Sequence, residues 1–256
     1  MKHLFNFQNM NAFILAAGLG TRLKPLTDHM PKAMVPVAGK PLIEHLILKL
    51  KASGFSHIVV NVHHFAQQII DFIEANEHFG IDIRISDERE QLLDTGGAIR
   101  KAAPLFPEGE PFLIHNVDIL HNLDLAEASQ QHSSDADATL FVSQRTSNRH
   151  LLFDDGGMLV GRDNTTTGEV DTPFPEVSSH PEKFNAYPFS GIHIFSPSLL
   201  PLMESWPEKF PIINFYLDAA AKSRQIKGIV ADSLHLLDVG KLDTLEQAEN
   251  FINQPA

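Results

Sequence analysis

The chain has 256 residues, of which 43% are apolar and 20% charged, a globular profile with enough length for a well-packed core. Its 20 basic and 32 acidic side chains give a formal charge of −12, which has the wrong sign for a nucleic-acid-binding protein. Cysteine is absent, which excludes a disulfide scaffold, a thiolate zinc site and a cysteine nucleophile, and fits a reducing compartment.

The N-terminal segment MKHLFNFQNM has no continuous apolar stretch and no small-residue cleavage site, so we do not expect a signal peptide. No apolar run approaches the roughly 18 residues of a membrane span. We therefore expect a cytoplasmic protein that has no membrane partner.

In the first half, short apolar runs alternate with amphipathic stretches. Residues 41–53 carry leucine and isoleucine at helical spacing, with a proline in the first turn and Gly54 as a stop. The other elements predicted here are strands at 12–16, 57–62, 81–85 and 111–116, and helices at 66–74 and 97–103. This alternation predicts βαβ units and an α/β protein with a mostly parallel sheet.

The second half predicts more strands and fewer helices. Its elements are strands at 138–144, 189–195, 226–231 and 234–237, a hairpin at 151–161 with its turn at 154–157, and helices at 214–222 and 242–252. Residues 164–183 lack apolar periodicity and are predicted to form a loop. No internal repeat or clear linker interrupts the sequence, so we expect one domain over residues 1–256.

A glycine-rich loop follows the first predicted strand, in the stretch ILAAGLGTRLKPLTDHMPK. Such a turn usually directs backbone N–H groups at phosphates. Residues 18–40 carry four basic side chains against Asp28 alone, which favours a small anionic ligand over a merely solvated basic loop. Two common phosphate-binding motifs fail: a Walker A loop would need Gly-Lys-Ser/Thr after Gly18, and the dinucleotide fingerprint would need a third glycine where Leu23 stands.

What remains is an apolar strand, then A-A-G-x-G-T-R, T-x-x-x-P-K and a proline-led amphipathic helix. This pattern resembles the signature of the sugar-1-phosphate nucleotidyltransferases. The similarity continues through LLDTGGAIRKA, LIHNVDIL, FSGIHIF and LLDVGKLDTLEQAE, and it looks most like the N-acetylmuramate 1-phosphate uridylyltransferases of cell-wall recycling. The resemblance implies a Rossmann-like three-layer α/β/α fold with a mixed, mostly parallel central sheet. Residues 11–120 would form its nucleotide-binding half and residues 121–256 its sugar-phosphate-binding half.

The implied reaction is attack of a sugar 1-phosphate oxygen on the α-phosphorus of a nucleoside triphosphate, with release of pyrophosphate. The protein must align two polyanions and neutralise growing charge. By resemblance, Lys32 is the catalytic lysine near the α-phosphate, and Arg22 grips the leaving phosphates. The residues expected to contact the nucleotide are Ala16, Ala17, Gly18, Gly20, Thr21, Arg22, Lys32, Thr95, Gly96 and Gly97. The two glycines after Thr95 would make room for the base, and their helix start would offer N–H donors, unless Asp94 or Thr95 is an ordinary helix cap.

Phosphoryl transfer of this kind implies Mg²⁺, which favours carboxylate oxygens and water. The family's positions make Asp118 and Asp238 the candidate metal ligands; alone, either could be a helix cap or turn former. Relatives commonly have glycine where Val117 stands and threonine where Lys241 stands.

Four residues match the acceptor side of the family: Asn116, Glu169, Ser190 and Gly191. Many relatives hold the sugar phosphate with a lysine in V-E-K-P. The nearest string here runs from Glu182 to Phe184 in the predicted loop, so no clear counterpart exists.

The leading hypothesis is a Mg²⁺-dependent uridylyltransferase that acts on UTP and N-acetylmuramate 1-phosphate, as a monomer or homodimer. Alternatives are a hexose-1-phosphate enzyme using dTTP or GTP, a choline-phosphate cytidylyltransferase, and a non-catalytic nucleotide-sugar sensor. The cytidylyltransferase would need an aromatic cage, for which Trp206, Tyr187 and Tyr216 are candidates.

Overall fold

A computed structural model describes residues 10–253, in which the chain forms fifteen strands and eight α-helices. The strands are β1 (Met10–Leu15), β2 (Pro36–Val37), β3 (Lys40–Pro41), β4 (Phe55–Val62), β5 (Asp82–Asp87), β6 (Phe112–Asn116), β7 (Ile119–His121), β8 (Ala138–Val142), β9 (Arg149–Phe153), β10 (Leu159–Asn164), β11 (Glu169–Asp171), β12 (Asn185–Tyr187), β13 (Phe189–Phe195), β14 (Ile226–Val230) and β15 (Leu236–Asp238). The helices are α1 (Leu42–Ala52), α2 (Ala66–Ala75), α3 (Asp94–Ala102), α4 (Leu125–Gln130), α5 (Pro175–Ser179), α6 (Leu200–Met203), α7 (Ile212–Ala221) and α8 (Leu245–Asn253). The signal-peptide prediction concerns a segment that lies, up to residue 9, outside the described range.

Seven strands form the central sheet, in the order β14-β8-β13-β6-β1-β4-β5. Every neighbouring pair is parallel except the two that involve β13, which runs antiparallel to both β6 and β8. Central strands such as β1 and β8 are buried along almost their whole length, as their continuous apolar sequences require. The predicted mixed, mostly parallel sheet is confirmed.

Helices cover both faces of this sheet. On β1, Ala12 and Ile14 pack into one core with the apolar stripes of α1 and α2, while Phe13 between them packs into a second core with α3 and α7. Successive side chains of a strand point to opposite faces, so the sheet lies between two helical layers. The three-layer α/β/α arrangement is therefore confirmed as well.

Two smaller sheets complete the second half. Strands β11, β10, β9 and β12 form an antiparallel sheet in that order, and its Phe153 packs where Gly228 of β14 has no side chain: a Cβ there would lie 2.4 Å from the Phe153 ring. Strand β15 pairs antiparallel with β7. The predicted hairpin turn at 154–157 is present, since the Gly157 N–H donates to the Asp154 carbonyl at 3.0 Å.

The prediction of a structureless loop at 164–183 is wrong. This segment contains β11, α5 and a 3₁₀ turn at Pro181–Lys183. Strand β11 is three residues long and mostly exposed, so it needs no apolar alternation and is held by its pairing with β10. The terminal helix also differs, because a 3₁₀ turn at Leu242–Thr244 precedes α8. Between residues 10 and 253, no helix is both long and apolar enough to span a membrane.

Candidate active site

Three parallel strands end side by side at one edge of the central sheet. In the register of this sheet, Leu15 at the end of β1 lies between Asn61 of β4 and Asn116 of β6. Ligands of open α/β sheets bind outside such carboxyl ends. A cleft of about 380 Å³ lies here, and its lining includes six of the predicted site residues: Ala17, Gly18, Lys32, Thr95, Asn116 and Asp118.

The glycine loop turns at Gly20, which has a positive φ of 63°. A Cβ there would lie 2.8 Å from the Thr27 Cγ2 and 3.1 Å from the Lys32 Cβ, so this glycine allows both side chains to pack against the loop. The Thr27 hydroxyl donates to the Gly20 carbonyl at 2.8 Å. By contrast, Gly18 is exposed and has open space on its Cβ side, which leaves room for a ligand. Thr21 is exposed in the turn that follows.

The amides of Ala16 and Ala17 are not free to bind phosphate. Both donate to the Asn61 Oδ1, at 2.6 and 3.2 Å. In the observed conformation these two amides are therefore occupied, although Ala17 and Gly18 both line the cleft. Sequence reasoning missed Asn61, although a buried polar residue inside the apolar strand FSHIVVNV was a usable signal.

The Asn61 side chain is also hydrogen-bonded to Glu88, a second residue that the sequence analysis did not single out. The Asn61 Nδ2 donates to the Glu88 Oε1 at 2.8 Å, and the Leu93 N–H donates to the Oε2 at 3.2 Å. Glu88 is fully buried, and burial raises the pKa of its carboxyl group against the lowering effect of these hydrogen bonds. A buried polar chain therefore ties the glycine loop to the segment that leads into α3.

Lys32 lies at the start of a 3₁₀ turn, Lys32–Met34, and its side chain is almost completely buried. Its ammonium group donates to the Asp118 Oδ2. Asp118 follows β6 and precedes β7, and its carbonyl accepts the Val239 N–H at 2.8 Å. The pairing of β7 with β15 matches Ile119 with Asp238, so the two predicted metal-ligand aspartates come together.

The Asp238 carboxyl group shows the effect of this neighbourhood on its pKa. Partial shielding from solvent and the negative charge of Asp118 raise the pKa, while Lys32, Arg22 and Arg145 lower it. Arg22 approaches closely because Gly240 has no side chain: a Cβ there would lie 2.6 Å from the Asp238 Oδ1 and 2.7 Å from an Arg22 Nη. The structure thus gathers the four charged residues predicted for catalysis and metal binding.

Two carboxylates suit a hard cation that keeps its remaining positions for water and substrate phosphate. Between residues 10 and 253 no group of three or more His, Cys, Asp or Glu side chains could hold a metal by itself. A cation between Asp118 and Asp238 would relieve the repulsion that raises the pKa of Asp238. The donor set therefore fits Mg²⁺ brought in with a nucleotide.

The glycines after Thr95 pack against protein, not against open space. A Cβ on Gly97 would lie 2.2 Å from the Glu208 carbonyl oxygen, and one on Gly96 would lie 2.3 Å from the Phe210 ring. The N–H groups of both glycines point at the Phe210 carbonyl, at 2.8 and 3.4 Å. The expectation that they supply free donors is therefore wrong. Thr95 lines the cleft, and its hydroxyl accepts the Ile212 N–H at 2.8 Å.

The predicted acceptor residues divide into three groups. Asn116 lines the cleft, and Gly191, with a φ of 79°, makes room for it, since a Cβ there would lie 2.7 Å from the Asn116 Nδ2. Ser190 does not reach the cleft: it is 1% exposed and its hydroxyl donates to the Phe141 carbonyl at 2.6 Å. Glu169 lies elsewhere, in a second and larger hollow.

This second hollow, of about 990 Å³, lies between one face of the β9–β11 sheet and Asp238. Its cationic lining residues are Arg145, Arg149 and Arg162, none of which the sequence analysis singled out. The clearest signal was the pair of arginines in RTSNR, just after an apolar strand. Arg145 donates to the Phe189 carbonyl at 3.0 Å, and partial shielding from solvent lowers the pKa of its guanidinium group. Lys183 is exposed and does not line this hollow.

A family model described as nucleotidyl transferase matches residues 11–255, and the chain belongs to this family. The relatives it matches place the chain in the class of sugar-1-phosphate nucleotidyltransferases. An N-acetylmuramate alpha-1-phosphate uridylyltransferase of Neisseria meningitidis is 33% identical over 245 residues, 94% of this chain and 97% of that protein. A protein of the same name from Caulobacter vibrioides is 50% identical over 109 residues, 42% of this chain and 45% of that protein. HddC from Yersinia pseudotuberculosis, crystallised with GMP-PN, superposes with a TM-score of 0.74 at 25% identity, covering 95% of this chain and 100% of that one.

Proposed function

We propose that the protein transfers a uridylyl group from UTP to N-acetylmuramate 1-phosphate, releasing pyrophosphate, as a cytoplasmic step of cell-wall sugar recycling. The choice of substrates is supported by the relative in Neisseria meningitidis, which bears that activity as its name and aligns with 94% of this chain. The reaction itself is supported best by Asp238. Its carboxylate borders the larger hollow and also lies beside Asp118, which lines the nucleotide cleft.

The nucleotide occupies the smaller cleft in this proposal. The exposed Gly18, which lines the cleft, offers its amide to a phosphate oxygen. Arg22, whose guanidinium lies beside Gly240, holds the β and γ phosphates through its planar fork. Lys32 exchanges its contact with Asp118 for the α-phosphate and neutralises the charge that grows there in the transition state.

Asp118 and Asp238 would hold Mg²⁺. When bound, such an ion neutralises phosphate oxygens and helps to orient them. The two side chains are preorganised for this role by the backbone, because the β7–β15 pairing and the Val239 N–H bond to the Asp118 carbonyl set their separation.

The acceptor occupies the larger hollow. Arg145, whose charge already acts on Asp238, takes the place of the missing family lysine and binds the 1-phosphate. Glu169 accepts sugar hydroxyl groups, and Asn116 faces the acceptor from the cleft. An oxygen of the 1-phosphate forms a new bond to the α-phosphorus, the bond between the α-phosphorus and the bridging oxygen breaks, and pyrophosphate leaves with that oxygen.

The choline-phosphate alternative finds little support. Tyr216 is fully buried, Trp206 packs against Phe210 and Phe215, and Tyr187 contacts Phe153. Among the described residues that line the hollow, Phe189 is the one phenylalanine, tyrosine or tryptophan, which is too few for an aromatic cage. A substrate panel distinguishes the proposed enzyme from a hexose-1-phosphate enzyme that uses dTTP or GTP.

Pyrophosphate release from a panel of nucleoside triphosphates, crossed with a panel of sugar 1-phosphates, tests the proposal. We expect the highest kcat/KM for UTP with N-acetylmuramate 1-phosphate. Preference for dTTP or GTP with a hexose 1-phosphate would favour the alternative enzyme. Absence of turnover with every pair would favour a non-catalytic sensor.

A further inference from the structure

Six residues that line the larger hollow share one face of the small antiparallel sheet, called the sheet floor below; His150, Asp163 and Val170 of the alternate face line it as well. In its register, Arg149 is paired with Asn164, which is paired in turn with Glu169; Arg162 is paired with Leu151 and with Asp171. Residues directly opposite each other in a sheet share a face. The pleat therefore gathers all six side chains on one side, and all six line the hollow.

The two arginines on this face differ in their partners. Arg162 is held by Asp171, with its Nη2 at 2.7 Å and its Nε at 3.0 Å from the Asp171 Oδ2. Arg149 is exposed, and among residues 10–253 its guanidinium has neither a carboxylate nor a carbonyl partner. The two are diagonal neighbours across β9 and β10, so their Cβ atoms lie roughly 7–8 Å apart or less.

This arrangement is distinct from that of Arg145. The charge of Arg145 acts on Asp238, at the end of the hollow where the reaction takes place. Arg149 and Arg162 come from the sheet floor instead. The hollow thus offers arginine side chains in two separate positions. Its lining also holds four carboxylates, of which Asp163 is paired with His150 and Asp171 with Arg162, so Arg149 keeps an unpaired charge. A ligand with two separate anionic groups matches that layout better than a simple sugar phosphate.

N-acetylmuramate 1-phosphate has two such groups, the phosphate on C1 and the carboxylate of its lactyl ether on C3. N-acetylglucosamine 1-phosphate is the same sugar without the lactyl group. Resting on the function proposed above, we propose that Arg149, with Arg162 beside it, binds the acceptor carboxylate and selects N-acetylmuramate 1-phosphate over N-acetylglucosamine 1-phosphate. The planar fork of arginine suits a carboxylate. The ion pair with Asp171 already holds the Arg162 side chain in place, so Arg162 loses little conformational entropy when the ligand binds.

The test is the ratio of kcat/KM for the two acceptors at saturating UTP, in wild type, Arg149→Gln and Arg149→Lys. We expect Arg149→Gln to lower the ratio about tenfold to hundredfold, the loss of one charge-assisted hydrogen-bonding group. Arg149→Lys keeps the charge without the fork and should lose less. Arg84→Gln is the matched control, because Arg84 is also exposed and lies on β5, where it pairs with Asp82.

Three outcomes overturn the inference. An unchanged ratio in Arg149→Gln, with wild type still preferring the carboxylate-bearing acceptor, removes the role of Arg149 and leaves the proposed function standing. A rise in the KM for UTP, with no change in the acceptor ratio, assigns Arg149 to the nucleotide. Wild type that does not use N-acetylmuramate 1-phosphate at all refutes the proposed function, and the inference with it.

Discussion

The Lys32 ammonium group donates to the Asp118 carboxylate, and both residues line the smaller cleft. The lysine side chain is only 10% exposed and the aspartate 18%, so each group stabilises the charge of the other in a partly shielded setting. Binding of a nucleotide with its cation would offer each a new partner: phosphate for the lysine and metal for the carboxylate. The ion pair thus holds the lysine and the carboxylate side by side before any ligand binds.

Lys32→Ala should lower kcat by about a hundredfold or more, because a preorganised charge at the α-phosphate is lost. Pyrophosphate release measures the effect, and thermal melting checks that the fold persists. The matched control is Lys40→Ala, which removes an exposed lysine paired with Glu44. Full activity in Lys32→Ala would refute the assigned role.

Asp118→Asn and Asp238→Asn should each reduce turnover by at least about a hundredfold, since each removes one of two carboxylates proposed to hold the cation. Both variants should also need more Mg²⁺ for half-maximal activity. Titration of Mg²⁺ at fixed UTP gives that value. Wild-type activity that survives exhaustive chelation would show that no divalent cation is needed.

Asn61→Ala should destabilise the protein by about 1–3 kcal/mol, because the buried N–H groups of Ala16 and Ala17 and the Glu88 carboxylate lose their shared partner. The KM for UTP should rise as the glycine loop loosens. Urea unfolding and initial-rate kinetics measure the two effects. A variant with weaker folding but an unaltered KM would mean that the buried chain is structural alone.

Gly97→Ala should lower the stability of the fold, whereas Gly18→Ala should weaken UTP binding and leave stability almost unchanged. A Cβ on Gly97 meets the Glu208 carbonyl at 2.2 Å, so we expect a loss of about 2 kcal/mol or more in unfolding free energy. A Cβ on Gly18 meets nothing within 4 Å, so stability should change by less than about 0.5 kcal/mol, while the KM for UTP rises. Equal stabilities of the two variants would contradict this assignment.

His193 should make the protein less stable in mild acid. It is buried beside Tyr216, both ring nitrogens are without a partner among the described residues, and burial lowers its pKa to about 3. Because this folded-state pKa lies below the unfolded value of about 6.5, protons bind preferentially to the unfolded chain. Stability present above pH 6.5 is therefore lost progressively as the pH falls towards 3.

At pH 5.5 the loss from His193 alone should be roughly 1 kcal/mol. His193→Phe should remove this share of the fall in unfolding free energy between pH 8 and pH 5.5, as measured by urea titration at both pH values. His235→Gln, at an exposed position, is the control and should follow the wild type. An identical fall in His193→Phe and wild type would count against the account.

Much of the fold was predictable because buried parallel strands leave continuous apolar runs, as in β1 and β8. Strand β11 was not predictable, since one half-buried valine between two exposed acidic residues is too short a pattern to show periodicity, and the strand is held by its pairing with β10. At the site, Lys32, Asp118 and Asp238 could be named in advance from the family motif and, for the two aspartates, from their positions at the ends of strands.

Other assignments failed for a different reason. A glycine shows that something approaches closely, but not what, and the neighbour of Gly96 is Phe210 of the chain itself. The hydrogen bond between Asn61 and Glu88 joins residues 27 positions apart, and the amides that Asn61 accepts from lie 44 and 45 positions away, so sequence proximity gave no sign of these roles. The arginines of the larger hollow come from separate strands and a loop, and only the folded register brings them together.

The pairing of β7 with β15 has a consequence for biosynthesis. Asp118 and Asp238 are 238 − 118 = 120 residues apart in sequence, and the second aspartate comes from the last strand of the chain's described part. Leu23 and Val35, beside the glycine loop and Lys32, pack in one buried cluster with Val239 and Ala248. A growing polypeptide on the ribosome therefore cannot finish packing this loop, or bring the two aspartates together, before the last strand and α8 have been made.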